Sequence, residues 1–358
     1  MGDAFVVGSA MTRFGRGKRS PADLAHEAAT AALAAAGREA RDVAAVYVGC
    51  RGTGSVPGAD ALSVRLGLRR SGLGRDGGRR TEDVSASGAR AFHLAWRAVE
   101  SGLHDLVLCV GTERLRAGAD SDDDRSSQHQ QRGDAARRYM AASGATVEQL
   151  ARAAAKNHRQ GARNPAACSA GDVSPRAVLD SDVVAWPLTR LMVAPRTSGA
   201  AAVVLTSRPR AHLAAPRVLA SVLTRDGDAA RAAQLAYSAA GVGPEDVDCA
   251  EVHDDTAAAE LAAYEALRFV ALGQGPELVE TGFTALGGVL PVNTSGGLLS
   301  LGELDGTSGI AQVCELAGQL TARAGARQVP SARVALAHSR APGEDGGRLL
   351  AVTVLRAA

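Results

Sequence analysis

The stretch ALAAAGREARDVAAVYVGC, Ala32 to Cys50, has an echo about half a chain length later: AYSAAGVGPEDVDCAEVHD, Ala236 to Asp254. Setting Gly37 against Gly241 aligns the two. In each copy an Ala-rich helical stretch ends at glycine, a polar turn carries Asp42 or Asp246, and an apolar strand follows. A second pair keeps the same order. SASGARAFHLAWRAVESGLHDLVLCVG (Ser85 to Gly111) matches ELDGTSGIAQVCELAGQL (Glu303 to Leu320) followed by ARVALAHS (Ala332 to Ser339). Each begins at a turn of small residues, runs into an Ala-rich helix and ends in a strand. Two correspondences in one order mark an internal duplication.

Working outward, Phe5 to Val7, Val43 to Val48 and Leu106 to Val110 read as strands, and Pro21 to Ala36 and Phe92 to Glu100 as helices. Ser20 is the N-cap of the first helix, Pro21 its first residue and Gly37 its stop. Alternating strands and helices predict an α/β fold with buried sheets. The expected units are 1–208 and 209–358. Residues 112–190 break the rhythm and read as an insertion lying over the first half, where inserted segments often cover a site. The acidic run Asp120 and Asp122 to Asp124 within it reads as a solvated loop.

The 358 residues suffice for one large doubled fold and its core. Hydrophobic residues make up 46 % but aromatics only 3 %, so the core is built from Ala, Val and Leu. A net charge of +2 argues against nucleic-acid binding by bulk charge. Lys18 and Lys156 are the only lysines, so arginine abundance is a habit of this composition. Cys50, Cys109, Cys168, Cys249 and Cys314 are scattered, with no C-x-x-C pair. This excludes a disulfide framework or a zinc ribbon within the chain and fits a reducing compartment. The opening MGDAFVVGSAMTRFG has no signal-peptide pattern, and no apolar run is long enough to span a membrane. The expectation is a cytoplasmic protein with neither membrane nor nucleic acid as partner.

Several residues could carry chemistry. Ser85 precedes a helix, where unpaired backbone N–H groups favour a nucleophile or an oxyanion; an N-cap is the plainer reading. His253 follows the strand-like CAEV, with Asp254 and Asp255 beside it, at the carboxyl end of a buried strand, where open α/β sheets place their sites. PVNTSGGLLSLGELDGTSG holds Asn293, the Gly296-Gly297 pair and a second glycine loop from Gly302 to Gly309, which suggests close backbone approach to a ligand. His338 follows the last central strand and leads into a loop containing Gly343. No metal-ligand spacing is evident.

Together these residues resemble the thiolase superfamily, in particular its sterol-carrier-protein or lipid-transfer branch. The segments that carry the resemblance are SASG before a helix, SGLHDLVLCVGTERL, MAASGATVEQLARAAAKNHRQGARNPAA, LTRLMVAPRTSGAAAVVL, EVHDDTAAAELAAYEAL and PVNTSGGLLSLGELDGTSGIAQVCELAGQL. The resemblance implies two βαβαβαββ halves in a five-layered αβαβα core, usually dimeric through an edge strand. It implies acyl-CoA or a phosphopantetheine thioester as substrate, with no tightly bound cofactor.

The chain departs from that family at the chemistry. Ser85 stands where members carry the nucleophilic Cys. Glu303 stands where they carry the His of Gly-His-Pro. His338-Ser339 stands near where many carry a second Cys, and Ser198 replaces an Asp of the closing strand. His253, which in this branch helps bind the thioester oxygen, is retained, as is the loop from Asn293 to Gly297. A Ser hydroxyl needs a general base where a thiolate does not, so a working degradative thiolase is not expected. Three readings follow. The first is acyl transfer through Ser85, with His253 or His338 as base, the oxyanion held by the Ser85 and Gly343-region N–H groups, and Asp254, Asp255, Asn293, Gly296 and Gly297 holding substrate. The second is a retro-aldol lyase on a branched acyl-CoA, in which a buried Glu303 of raised pKa joins His253 and Asp255, and a small zinc-ribbon/OB-fold protein is the partner. The third is a non-catalytic subunit of a homodimer or of a heterodimer with another thiolase-like chain.

Overall fold

The computed structural model describes residues 2–51, 59–73, 80–85, 87–115, 122–168, 171–209, 214–342 and 348–358, with 59–61, 80–85, 122–125 and 342 described by backbone alone. In chain order the strands are β1 (Phe5–Met11), β2 (Ala45–Gly49), β3 (Arg80–Ser85), β4 (Leu106–Glu113), β5 (Val183–Ala185), β6 (Leu188–Thr189), β7 (Gly199–Thr206), β8 (Arg217–Thr224), β9 (Cys249–Glu251), β10 (Val334–Pro342) and β11 (Arg348–Arg356). The helices are α1 (Pro21–Ala35), α2 (Ala59–Arg70), α3 (Gly88–Glu100), α4 (Asp122–Ser143), α5 (Val147–Gly161), α6 (Pro175–Leu179), α7 (Ala229–Ala240), α8 (Ala257–Ala266), α9 (Gly275–Glu280), α10 (Gly297–Leu301) and α11 (Ser308–Leu320). Ser20 caps α1 by accepting from the Asp23 N–H, and Gly37 follows it at φ +59°.

Nine of the described strands form one sheet in the order β3–β2–β4–β7–β1–β8–β11–β10–β9. The order reads the same outward from the β1–β8 join, which is a single pairing of Phe5 with Arg217. On one side β1–β7 and β7–β4 are antiparallel and β4–β2 and β2–β3 parallel. On the other, β8–β11 and β11–β10 are antiparallel and β10–β9 parallel, and an isolated parallel bridge from Ala250 to Val292 stands in the place of β3.

Side-chain alternation sorts the strands into layers. In β7, Ala200, Ala202 and Val204 face α1, while Ala201, Val203 and Leu205 join the cluster that holds α3 and α11. In β10, Ala335 and Ala337 face that same middle cluster, and Val334 and Leu336 face the outer cluster of α5, α7 and α8. Both faces of each half-sheet are covered, which is why these strands read as unbroken apolar runs. The small alanines let helices lie close to the sheets.

Two expectations are corrected here. Asp122 to Asp124 open the long helix α4 rather than a loop; Asp120 lies outside the described residues. His338 lies inside β10 rather than beyond it, because the strand runs on to Pro342.

Candidate active site

The carboxyl ends of β2 and β4 and the start of α3 converge on one peptide group. A Cβ placed on Gly49, Gly88 or Gly111 would press into the Gly306 carbonyl. Only glycine allows this approach. The Gly88 N–H donates to the Asp305 carbonyl at 2.8 Å, and the Gly306 N–H donates to Glu113 Oε2 at 3.0 Å. The loop from Glu303 to Gly306 is thus fastened to the strand ends of the other half. Ser85 ends β3 with its backbone paired to Gly49, beside this junction. The N-cap of α3 is Ser87, which accepts from the Arg90 N–H, so the N-cap reading of Ser85 is corrected. The Ser85 side chain and the whole of Gly343 lie outside the described residues.

A cavity of about 440 Å³ opens at this junction. His253, Asp255, Glu303 and Arg340 line it from the second half, Arg51, Glu113 and Arg196 from the first, and Arg132 from α4. Arg132 donates through Nε to Asp255 at 3.3 Å and through Nη2 to Glu303. Arg340 also donates to Asp255, at 3.0 Å. His253 is 4 % exposed, and its Nε2 lies 3.7 Å from Glu303 Oε1. Its Nδ1 has no partner among the described residues.

Electrostatics separates the two glutamates of this cavity. Burial pushes the Glu303 carboxyl up, but the Arg132 guanidinium and the His253 ring outweigh it and hold the group well below the ordinary carboxylate range. The expected raised pKa of Glu303 is therefore corrected: it is a fixed anion beside His253 Nε2 and does not itself accept the proton. Glu113 goes the other way. Burial, then the neighbouring Asp305, push its carboxyl to about 8, against the Gly306 N–H and the charges of Arg51 and Arg196. His338 is 2 % exposed and does not line the cavity. Burial, with Arg340 and His253 nearby, pushes it to about 3, so it is a neutral and weak proton acceptor at pH 7.

One donor atom each from His253, Asp255 and Glu303 lies within 4.8 Å of the other two, close enough to gather a cation. Arg132 already bridges both carboxylates, and the cluster is neutralised by protein charge.

Four expected substrate contacts lie elsewhere. Asp254 is fully buried and accepts from the Leu298 N–H at 2.7 Å, the Leu299 N–H at 3.4 Å and Asn157 Nδ2 at 2.8 Å. It holds the start of α10. Gly296 and Gly297, at φ +94° and +62°, let the chain pass Gly161 and this carboxylate, where side chains would collide. Asn293, at φ +56°, accepts from the Val252 N–H through Oδ1 at 2.8 Å and so fixes the residue before His253. None of the four lines the cavity; they build the His253 turn. Sequence reading missed Arg132, Arg340 and Glu113. Glu113 alone carried a signal, a charged residue closing an otherwise apolar strand.

Cysteine is missing from the described cavity lining. Cys249 and Cys314 are buried thiols pushed up by desolvation, Cys314 to about 12.

A doubled α/β scaffold with its cavity at the meeting of two sets of strand ends is the architecture of thiolase-fold proteins. Residues 4–135 match the thiolase N-terminal domain, and residues 219–344 the thiolase C-terminal domain-like family. The chain is 33 % identical to the acetyl-CoA acetyltransferase of Methanothermobacter thermautotrophicus over 95 % of this chain and 96 % of that one. It is 32 % identical to sterol carrier protein 2 of Bos taurus over 94 % of this chain and 69 % of the relative. The solved Ltp2-ChsH2(DUF35) aldolase superposes with a TM-score of 0.81 at 22 % identity, over 99 % of this chain and 98 % of that one. The chain belongs to the thiolase family.

Proposed function

We propose that this protein acts on a β-hydroxyacyl thioester, acyl-CoA or a carrier-bound equivalent, by aldol-type cleavage or formation of the bond between the α- and β-carbons. His253 takes the proton of the β-hydroxyl at Nε2, the nitrogen beside Glu303, and Glu303, kept ionised by Arg132, balances the charge the ring acquires. The arginines at the cavity favour an anionic substrate. The observation that carries this reading is the His253–Glu303–Arg132 chain on a cavity whose described lining holds no thiol. Thiolysis needs a thiolate to take the acyl group; an aldol step needs only proton transfer and a place for the enolate. The fold likeness to a two-component aldolase supports assaying the chain both alone and with a small zinc-ribbon/OB-fold partner. Self-association, or pairing with a second thiolase-like chain, belongs to the same proposal.

The test is product analysis with a panel of β-hydroxyacyl-CoAs. Release of an aldehyde or ketone with a shortened acyl-CoA is expected, falling at least ~100-fold in His253→Ala. Cleavage of acetoacetyl-CoA by free CoA at ordinary thiolase rates would contradict the reading. An acyl adduct on Ser85 in intact-protein mass spectra, lost in Ser85→Ala, would replace it with acyl transfer.

A further inference from the structure

Bond cleavage of the proposed kind leaves a thioester enolate that must be protonated at carbon. His253 has by then received the hydroxyl proton at the β-oxygen, and a second carrier on the same cavity can supply the α-carbon. Glu113 stands at the carboxyl end of β4, is 4 % exposed and lines the cavity. One of its oxygens is held by the Gly306 N–H at 3.0 Å. Arg51, one of the two arginines whose charge acts on Glu113, is paired with Asp305. The segment from Glu303, which touches His253, to Gly306, which touches Glu113, spans at most ~10 Å of extended chain. The two groups therefore sit at the two ends of one short loop facing one space.

We infer that Glu113 is the proton donor to the α-carbon in this reaction, an assignment that rests on the reading proposed above. In the cleavage direction the β-hydroxyl proton passes to His253, and the oxygen pair closes to the carbonyl. The bond between the α- and β-carbons breaks, its electrons form the thioester enolate, and the Glu113 carboxyl gives its proton to the α-carbon. Glu113 then regains a proton from solvent and His253 loses one, so no oxidant, reductant or co-reactant is consumed. Two glutamates with opposed surroundings on one cavity divide the work: Glu303 is a fixed anion, and Glu113 keeps a proton to give.

The experiment is deuterium wash-in at the α-carbon of propionyl-, isobutyryl- and phenylpropionyl-CoA in heavy water, followed by NMR. It runs the protonation step backward and needs no cleavage. The wild-type protein is expected to exchange at least one of the three. Glu113→Gln, which keeps an acceptor for the Gly306 N–H, is expected to lose at least ~100-fold. Glu113→Asp keeps the acid and is expected to recover part of the exchange. Undiminished exchange in Glu113→Gln, no recovery in Glu113→Asp, or no exchange by wild type on any of the three would each overturn the assignment. If the β-hydroxyacyl panel is not cleaved while Glu113-dependent exchange persists, the reading of function falls and Glu113 stands as the α-carbon proton carrier.

Discussion

Arg132 is the residue on which the charge state of the cavity turns. Its guanidinium bridges Glu303 and Asp255, and all three side chains are largely withdrawn from solvent. Arg132→Gln leaves two carboxylates facing each other, with Arg340 to offset Asp255 and the His253 ring and Arg51 to offset Glu303. Breaking a buried pair from one side costs several kcal/mol, less where solvent still reaches it. A loss of ~2 kcal/mol is expected in urea unfolding, together with loss of any His253-dependent activity; an unmoved midpoint would contradict the role given to this arginine. Glu113 yields a prediction in pH. Its carboxyl titrates near 8 when folded, against an ordinary 4.5. Between those values the unfolded chain has released this proton and the folded chain retains it. The folded state binds more protons, so stability falls as pH rises through that window, by at most about 1.4 kcal/mol per pH unit for this one group. Glutamine has no proton to release. Melting temperature plotted from pH 5 to 8 should therefore fall less steeply for Glu113→Gln than for wild type. Glu251, pushed up similarly by burial and Glu315, is present in both proteins and cancels. Parallel curves would place the Glu113 proton elsewhere.

Elements matter here chiefly through their ends. Much of their layout is legible in the sequence: the cap at Ser20, the stop at Gly37, the apolar runs that become β2 and β4, and the paired segments around Gly37 and Gly241 all come from local chemistry. What local chemistry does not carry is where a side chain points after the halves close. Asp254 and Asp255 are neighbours with the same side chain; one is locked under α10 and the other reaches the cavity. Arg132 lies on a polar helix with no apolar periodicity to orient it, so nothing in its own segment announces Glu303 as its partner. The glycine junction is the opposite case, visible as composition but meaningful only in three dimensions. Gly111→Ala would drive a methyl into the Gly306 carbonyl and against Ile310 and Thr307. Overpacking of this kind costs ~1–3 kcal/mol. Here it would also lift the Glu303–Gly306 loop, so activity should fall further than stability; a variant that keeps full activity would show that the loop tolerates displacement.

At the scale of the whole molecule, the duplication has not produced two independent bodies. The middle cluster mixes Val107, Ala201 and Val203 of one half with Ala335 and Ala337 of the other, around α3 and α11. The cavity likewise takes Arg51 and Glu113 from the first half, His253 and Glu303 from the second and Arg132 from the helix laid across them. Two halves that share a core and a site should unfold together. A single transition is expected by both circular dichroism and tryptophan fluorescence, with coincident midpoints. A ligand that binds the folded cavity must then stabilise the entire chain. Acyl-CoA at 100 times its dissociation constant contributes about 2.7 kcal/mol and should raise that single midpoint by a few degrees. The shift should shrink in Arg132→Gln, which unbalances the cavity while leaving the middle core untouched. Two separated transitions, or a ligand shift confined to one of them, would mean that the halves fold apart and that the cavity between them is not one site.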